Sequence, residues 1–164
     1  MAQHPFASAS RIAIASLLPA AAVVFLAAGS PSHAAHALGA TTADTEAAHF
    51  AICHGRSRVT CVVDGDTLWY RGDKIRIADI NAPEVSKPRC TREAELGEKA
   101  TGRLLMLLNA GRFTLAPNDD GTGRDRDRYG RLLRTVTRSG ASVGRELVDE
   151  GLAETWTGHR RNWC

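Results

Sequence analysis

The sequence predicts an α+β domain: a small, curled, five-stranded sheet with helices packed against it. Three observations carry that expectation. Short β-like runs at residues 58–63, 67–70 and 74–80 are rich in Val, Ile, Leu and Thr and bounded by turn residues. Residues 91–109 place Ala94, Ala100, Leu104, Leu105 and Leu108 broadly on one side at helical spacing. Two further strand-like runs, 112–116 and 132–138, then precede a short helical stretch at 143–150.

The chain has 164 residues, enough for one domain plus an extra segment, and the extra lies at the N-terminus. Arg11 is the only Lys or Arg before an uncharged stretch from 12 to 29, and the small-residue run PSHAAHA follows at 31–37. Residues 1–37 therefore read as a signal peptide, with Ser32-His33-Ala34 or Ala35-His36-Ala37 at peptidase spacing. The apolar stretch is nearly long enough to span a bilayer, so an uncleaved membrane anchor is the alternative. Pro19 and the small-residue exit favour cleavage, and the expected location is secreted or periplasmic. Residues 38–57, small and polar at LGATTADTEAA, read as a linker and N-terminal extension. Residues 58–164 are the expected domain.

Within that domain Arg71-Gly72-Asp73 reads as a hairpin turn. Pro83 and Pro88 mark an irregular loop. Thr91 is the expected N-cap of the long helix, with Glu93 and Glu95 in its favourable first turn and Gly111 as its stop. Residues 118–128 form a charged, glycine-containing loop, Ser139-Gly140 a turn, and Gly151 closes the last helix. Strand order and size make the OB-type barrel the natural candidate.

The formal charge is +3, and removing residues 1–37 leaves 20 basic against 18 acidic residues, or +2. That bias is too weak to imply nucleic-acid binding by itself. The four cysteines, Cys53, Cys61, Cys90 and Cys164, all follow residue 37, and an even count in an oxidising compartment reads as two disulfides. No pair has CxxC spacing, which weakens a metal-site reading. Of three connectivities, Cys53–Cys61 with Cys90–Cys164 is favoured, because fraying ends gain most from a tether.

Val63-Asp64-Gly65-Asp66-Thr67 puts two carboxylates two residues apart, on one side of a strand. Such a pair repels itself unless something positive lies between. Asp-Gly is also ordinary turn punctuation, so a hairpin and a hard-cation site such as Ca²⁺ or Mg²⁺ both remain open here. Asn81-Ala82-Pro83-Glu84 can present side-chain oxygens and a backbone carbonyl at a strand's end. Arg76 stands between Ile75 and Ile77, and Asp125-Arg126-Asp127-Arg128-Tyr129-Gly130-Arg131 is a charge run that would ordinarily be a solvated loop. Each cluster alone favours the bland reading. Together they supply acids for a cation, a carboxylate base and two arginines, the groups that phosphodiester hydrolysis needs.

The order VDGDT, IRIADINAPE, helix, DRYGR, helix and EGLA, from Val62 to Ala153, resembles the staphylococcal nuclease family. The resemblance implies a Ca²⁺-dependent nuclease that cuts DNA and RNA with little sequence preference and leaves 3′-phosphates; export is expected from residues 1–37. It implies that Asp66, Asp64, Asn81 and the Ala82 carbonyl surround the ion, with Asn81 standing where the family usually has a carboxylate. It further implies Glu84 as general base, Arg76 and Arg131 on the scissile phosphate, and Arg128 and Tyr129 near the nucleotide's terminal phosphate. No obligate protein partner is implied, and a monomer is expected. The rival reading is a catalytically weak or inactive OB-fold module that binds nucleic acid or a partner. A disulfide-stapled structural domain ranks third.

Overall fold

The computed structural model describes residues 43–56, 58–119 and 121–164. The expected signal peptide lies outside the described residues. None of the helices among them is long and apolar enough to cross a membrane.

The elements run β1 (Ala51–Ile52), β2 (Cys61–Asp64), β3 (Thr67–Tyr70), β4 (Asp73–Ile77), β5 (Ile80–Asn81), α1 (Thr91–Asn109), β6 (Thr114–Pro117), β7 (Leu132–Arg138), β8 (Ala141–Ser142), α2 (Val143–Asp149) and β9 (Glu154–Thr155). The result is α+β, as expected. Its main sheet has seven strands in the order β1-β2-β3-β4-β7-β6, with β8 also on β7, and β5 pairs β9 in a second, two-stranded sheet.

Two corrections to the expected five-stranded barrel follow from this topology. First, the sheet is open: β1 and β6 end the path and do not pair with each other. Chain from the N-terminal extension meets the β6 end instead, where Glu46 and Phe113 exchange backbone hydrogen bonds at 2.8 and 3.1 Å. Phe50 then enters the core against Tyr70 and Phe113, with ring centroids 5.6 to 5.9 Å apart across the trio. The segment read as linker is thus structural from at least Glu46 onward, because Phe50 carries apolar surface that the sheet buries. Second, the run expected as one strand over 74–80 is two. After Ile77, which pairs with Arg134 of β7, the chain turns at Ala78-Asp79 and Ile80 and Asn81 pair with Thr155 and Glu154.

Local sequence explains most of the remainder. Arg71 and Gly72 take positive φ, 52° and 89°, which is the two-residue hairpin geometry whose twist suits flanking strands. Helix α1 has the predicted span, but Cys90 and not Thr91 is its N-cap, without a side-chain cap bond. Glu93 serves that end instead, its Oε2 accepting the Arg89 N–H at 2.6 Å. In α2 the Ser142 hydroxyl accepts from the Arg145 N–H and donates to Asp79. The core is a single cluster of residues from both helices and the strands, including Val62, Leu68, Ile75, Ile77, Leu104, Leu108, Val136 and Leu147.

Both disulfides join the pairs favoured from sequence, Cys53–Cys61 and Cys90–Cys164. The second ties the last residue to the start of α1.

Candidate active site

The bend between β2 and β3 is pressed against α1. A Cβ on Gly65 would lie 2.6 Å from the Ala100 methyl and 2.7 Å from that of Ala82, so only glycine fits. This close approach sets Asp66 at the bend, where it is buried. Its backbone N–H donates to Asp64 Oδ1 at 3.1 Å. Its own carboxylate collects three contacts: the Thr67 hydroxyl at 3.0 Å, the Ala82 N–H at 2.9 Å and Arg76 Nη2 at 3.1 Å. Arg76 faces Thr67 across the β3–β4 ladder, which explains how a strand arginine reaches Asp66.

Arg76 is itself buried, and its guanidinium also donates to the Ile77 carbonyl. Burial pulls its pKa below the ordinary arginine value; Asp66 opposes that, while the like charges of Arg131 and Arg160 add to it. Asp64 shows the opposite strain. Burial, and then the Asp66 charge beside it, push its carboxyl up to about 7.

Arg131 is aimed by a turn that Asp127 organises. The Asp127 carboxylate accepts the Tyr129 and Arg131 N–H groups at 2.9 and 3.0 Å and Arg131 Nε at 2.7 Å. Burial works to raise the Asp127 pKa, but these donors outweigh it and hold the group below the usual value. Arg131 Nη1 also reaches the Thr67 hydroxyl at 3.4 Å. Tyr129 stands exposed with Arg128 and Arg131 guanidinium carbons 4.8 and 5.6 Å from its ring centre.

Arg76, Arg128, Tyr129, Arg131, Trp156 and Arg160 line one open cleft of about 380 Å³. Asn81, Ala82 and Glu84 line a second hollow of about 240 Å³, which also holds Arg160. Asp66 lies behind both, joined to the first through Arg76 and to the second through the Ala82 N–H. Asp64 lines neither hollow. The sequence candidates therefore gather around one region, with Asp64 and Asp66 set behind the two hollows.

Glu84 is held by its loop's contact with α1. A Cβ on Gly97 would be 3.0 Å from the carbonyl oxygens of both Pro83 and Glu84. Its carboxylate takes Arg160 Nη1 at 2.6 Å. Asn81 is buried, and its amide donates to Glu154 Oε1 at 3.0 Å through the β5–β9 pairing. Asp127, Thr67 and Glu154 are the positioning residues that sequence reasoning missed. The Asp-x-x-x-Arg spacing of Asp127 and Arg131 was a usable signal for the first; nothing local pointed to Glu154.

Among the described residues no three His, Cys, Asp or Glu side chains are grouped to hold a metal. What the site offers is two carboxylates and neutral oxygens. All are hard donors, and a cation beside Asp64 would offset the burial and the neighbouring Asp66 charge that disfavour its ionised form, so the set fits Ca²⁺ in kind.

Residues 74–162 match the family model described as staphylococcal nuclease homologue, a span that contains every candidate named above except Asp64, Asp66 and Thr67. Among curated proteins the chain is 41% identical over 95 residues to SPbeta prophage-derived endonuclease YokF of Bacillus subtilis (strain 168), covering 56% of this chain and 31% of that one. It is 39% identical over 95 residues to endonuclease YncB of the same organism, covering 56% and 43%. It is 32% identical over 96 residues to succinoglycan biosynthesis protein ExoI of Rhizobium meliloti (strain 1021), covering 56% and 48%. The chain thus spans less than half the length of each of these relatives. With the family model matched over more than half of its residues, the chain belongs to the staphylococcal nuclease family.

Proposed function

We propose that this protein is a Ca²⁺-dependent nuclease that hydrolyses phosphodiester bonds of DNA and RNA, leaves 3′-phosphate ends and works as a secreted or periplasmic monomer. The observation that carries the reading is the cleft shared by Arg76 and Arg131 beside the Glu84 carboxylate. Two guanidinium groups with fixed forks suit the oxygens of one phosphate, and a carboxylate next to them suits removal of a proton from water. The disulfides support an oxidising location.

Asp66, Asp64, the Asn81 side-chain oxygen and the Ala82 carbonyl would hold the ion. When bound, Ca²⁺ supplies Lewis-acid polarisation of a phosphate oxygen. Glu84 accepts the proton of the attacking water at a carboxylate oxygen. Arg76 and Arg131 bind the phosphate oxygens on which charge accumulates, and such contacts accelerate the step because they strengthen toward the transition state. Arg128 and Tyr129 receive the nucleotide's terminal phosphate. All these groups address the backbone and none reads a base edge, which is why little sequence preference is expected.

A second reading, an OB-type module that binds without cutting, draws on Asn81: the site has one carboxylate fewer than the family pattern. Digestion of end-labelled single-stranded DNA and RNA separates the two. The nuclease reading requires both polymers to be cut, with ends that resist extension until a phosphatase removes the 3′-phosphate. Ends that extend directly contradict the product assignment, and binding without cutting supports the module.

A further inference from the structure

Beyond β9 the chain has no regular structure, yet it is held at several points. The Trp156 N–H donates to the Asp79 carbonyl at 2.9 Å, and the Arg161 N–H donates to Glu154 Oε1 at 2.7 Å. Trp163 is buried with the Arg161 guanidinium 5.0 Å from its ring centre, and Cys164 closes on Cys90. Between these anchors Arg160 is brought across the site. It lines the Arg76–Arg131 cleft, the Glu84 hollow and a third hollow with Lys74, Tyr129 and Arg131.

Arg76, Arg131 and Arg160 differ in what they rest on. Arg76 sits on buried Asp66, and Arg131 is locked by Asp127 through a turn. Arg160 rests on Glu84, the carboxylate that must be free to take a proton if the nuclease reading holds. Both partners of that pair are solvent-accessible, 53% and 36%, so the contact contributes little to stability and parts easily. A guanidinium released there faces a cleft already lined by Arg76, Arg124, Arg128 and Arg131, where the ligand that lowers the repulsion is a polyanion.

We propose that Arg160 is a phosphate-binding residue of this site, resting on Glu84 in the free protein and moving to a backbone phosphate beside the cleaved one when nucleic acid binds. The Cys90–Cys164 tether sets its reach. The proposal rests on the nuclease reading for the role of Glu84, but its own test does not need cleavage.

The test is fluorescence anisotropy of a labelled single-stranded oligonucleotide in chelator, against salt, with Ca²⁺-supported cleavage measured in parallel. The proteins are wild type, Arg160→Ala, Arg160→Lys and Arg145→Ala; the last removes an exposed charge that pairs with Asp149 on α2. Arg160→Ala should weaken binding about tenfold and flatten the log Kd against log salt slope by about 0.7, the value of one phosphate contact on a single strand. Arg160→Lys should keep most of that slope, and Arg145→Ala all of it. Where wild type cleaves, Arg160→Ala should raise KM far more than it changes kcat. An unchanged slope in Arg160→Ala, or an equal loss in Arg145→Ala, overturns the proposal while wild-type cleavage leaves the nuclease reading standing. A slope change without any wild-type cleavage supports Arg160 as a phosphate contact and counts against the nuclease.

Discussion

Asn81 is held in place by Glu154, and that pairing gives a physical reason for an amide at this position. An amide can donate to the Glu154 carboxylate; a carboxylate in its place would meet a like charge about 3 Å away. The substitution Asn81→Asp therefore has two opposite effects. In chelator it should lower stability by about 1–3 kcal/mol, through a lost hydrogen bond and a buried repulsion, measured by urea unfolding. With Ca²⁺ it should lower the concentration giving half-maximal activity, because ligand charge raises affinity. A Ca²⁺ requirement that is unchanged or higher would remove Asn81 from the ion's surroundings. Arg131 and Asp127 make a second case at this scale. The sequence showed an arginine in a charged loop; the structure shows that Asp127 spends its carboxylate on folding the turn that aims it.

At the scale of elements, α1 supports the proposed site. Its small residues let two loops lie on its surface: the Asp66 bend over Ala100 and the Glu84 loop over Gly97. Alanine at Gly97 would gain helix propensity of about 1 kcal/mol and lose a similar amount to crowding against two carbonyl oxygens. Gly97→Ala should thus leave the melting temperature nearly unchanged but cut kcat about tenfold or more, since the Glu84 loop must shift. Equal kcat in the variant would show that Glu84's placement does not depend on this contact. Elements with strong periodicity were legible from sequence: α1 and β7 have their expected spans, and both tight hairpin turns fall at the expected residues. The two-residue strands β5 and β9 were not, because their pairing is decided by a partner about 75 residues away and not by local pattern. The same reason hid the break after Ile77 and the role of Glu154.

At the scale of the described residues as a whole, the segments that flank the sheet and helices are structural. Phe50 completes an aromatic cluster with Tyr70 and Phe113, and Cys164 fixes the tail that carries Arg160. Neither was legible from composition: small polar residues hid the first, and a lone terminal cysteine said nothing of what its tether holds. The Cys90–Cys164 bond closes a separation of 74 residues against 8 for Cys53–Cys61, so loop entropy assigns about 4.5 kcal/mol to the first and about 2.5 kcal/mol to the second. Replacing both Cys90 and Cys164 by serine should lower unfolding free energy by roughly 4.5 kcal/mol, and replacing Cys53 and Cys61 by less. The reverse order would mean that the long tether closes a loop already compact when unfolded.

The central claim is that Glu84 works beside a cation at this cleft. The most direct measurement is cleavage of a fluorescent single-stranded DNA by the oxidised protein, with Ca²⁺ titrated into the millimolar range, with chelator, and beside Glu84→Gln. The account predicts cutting that needs Ca²⁺ and collapses in Glu84→Gln while oligonucleotide binding persists. Cutting that survives in Glu84→Gln, or binding with no cutting at any Ca²⁺ concentration, would contradict it.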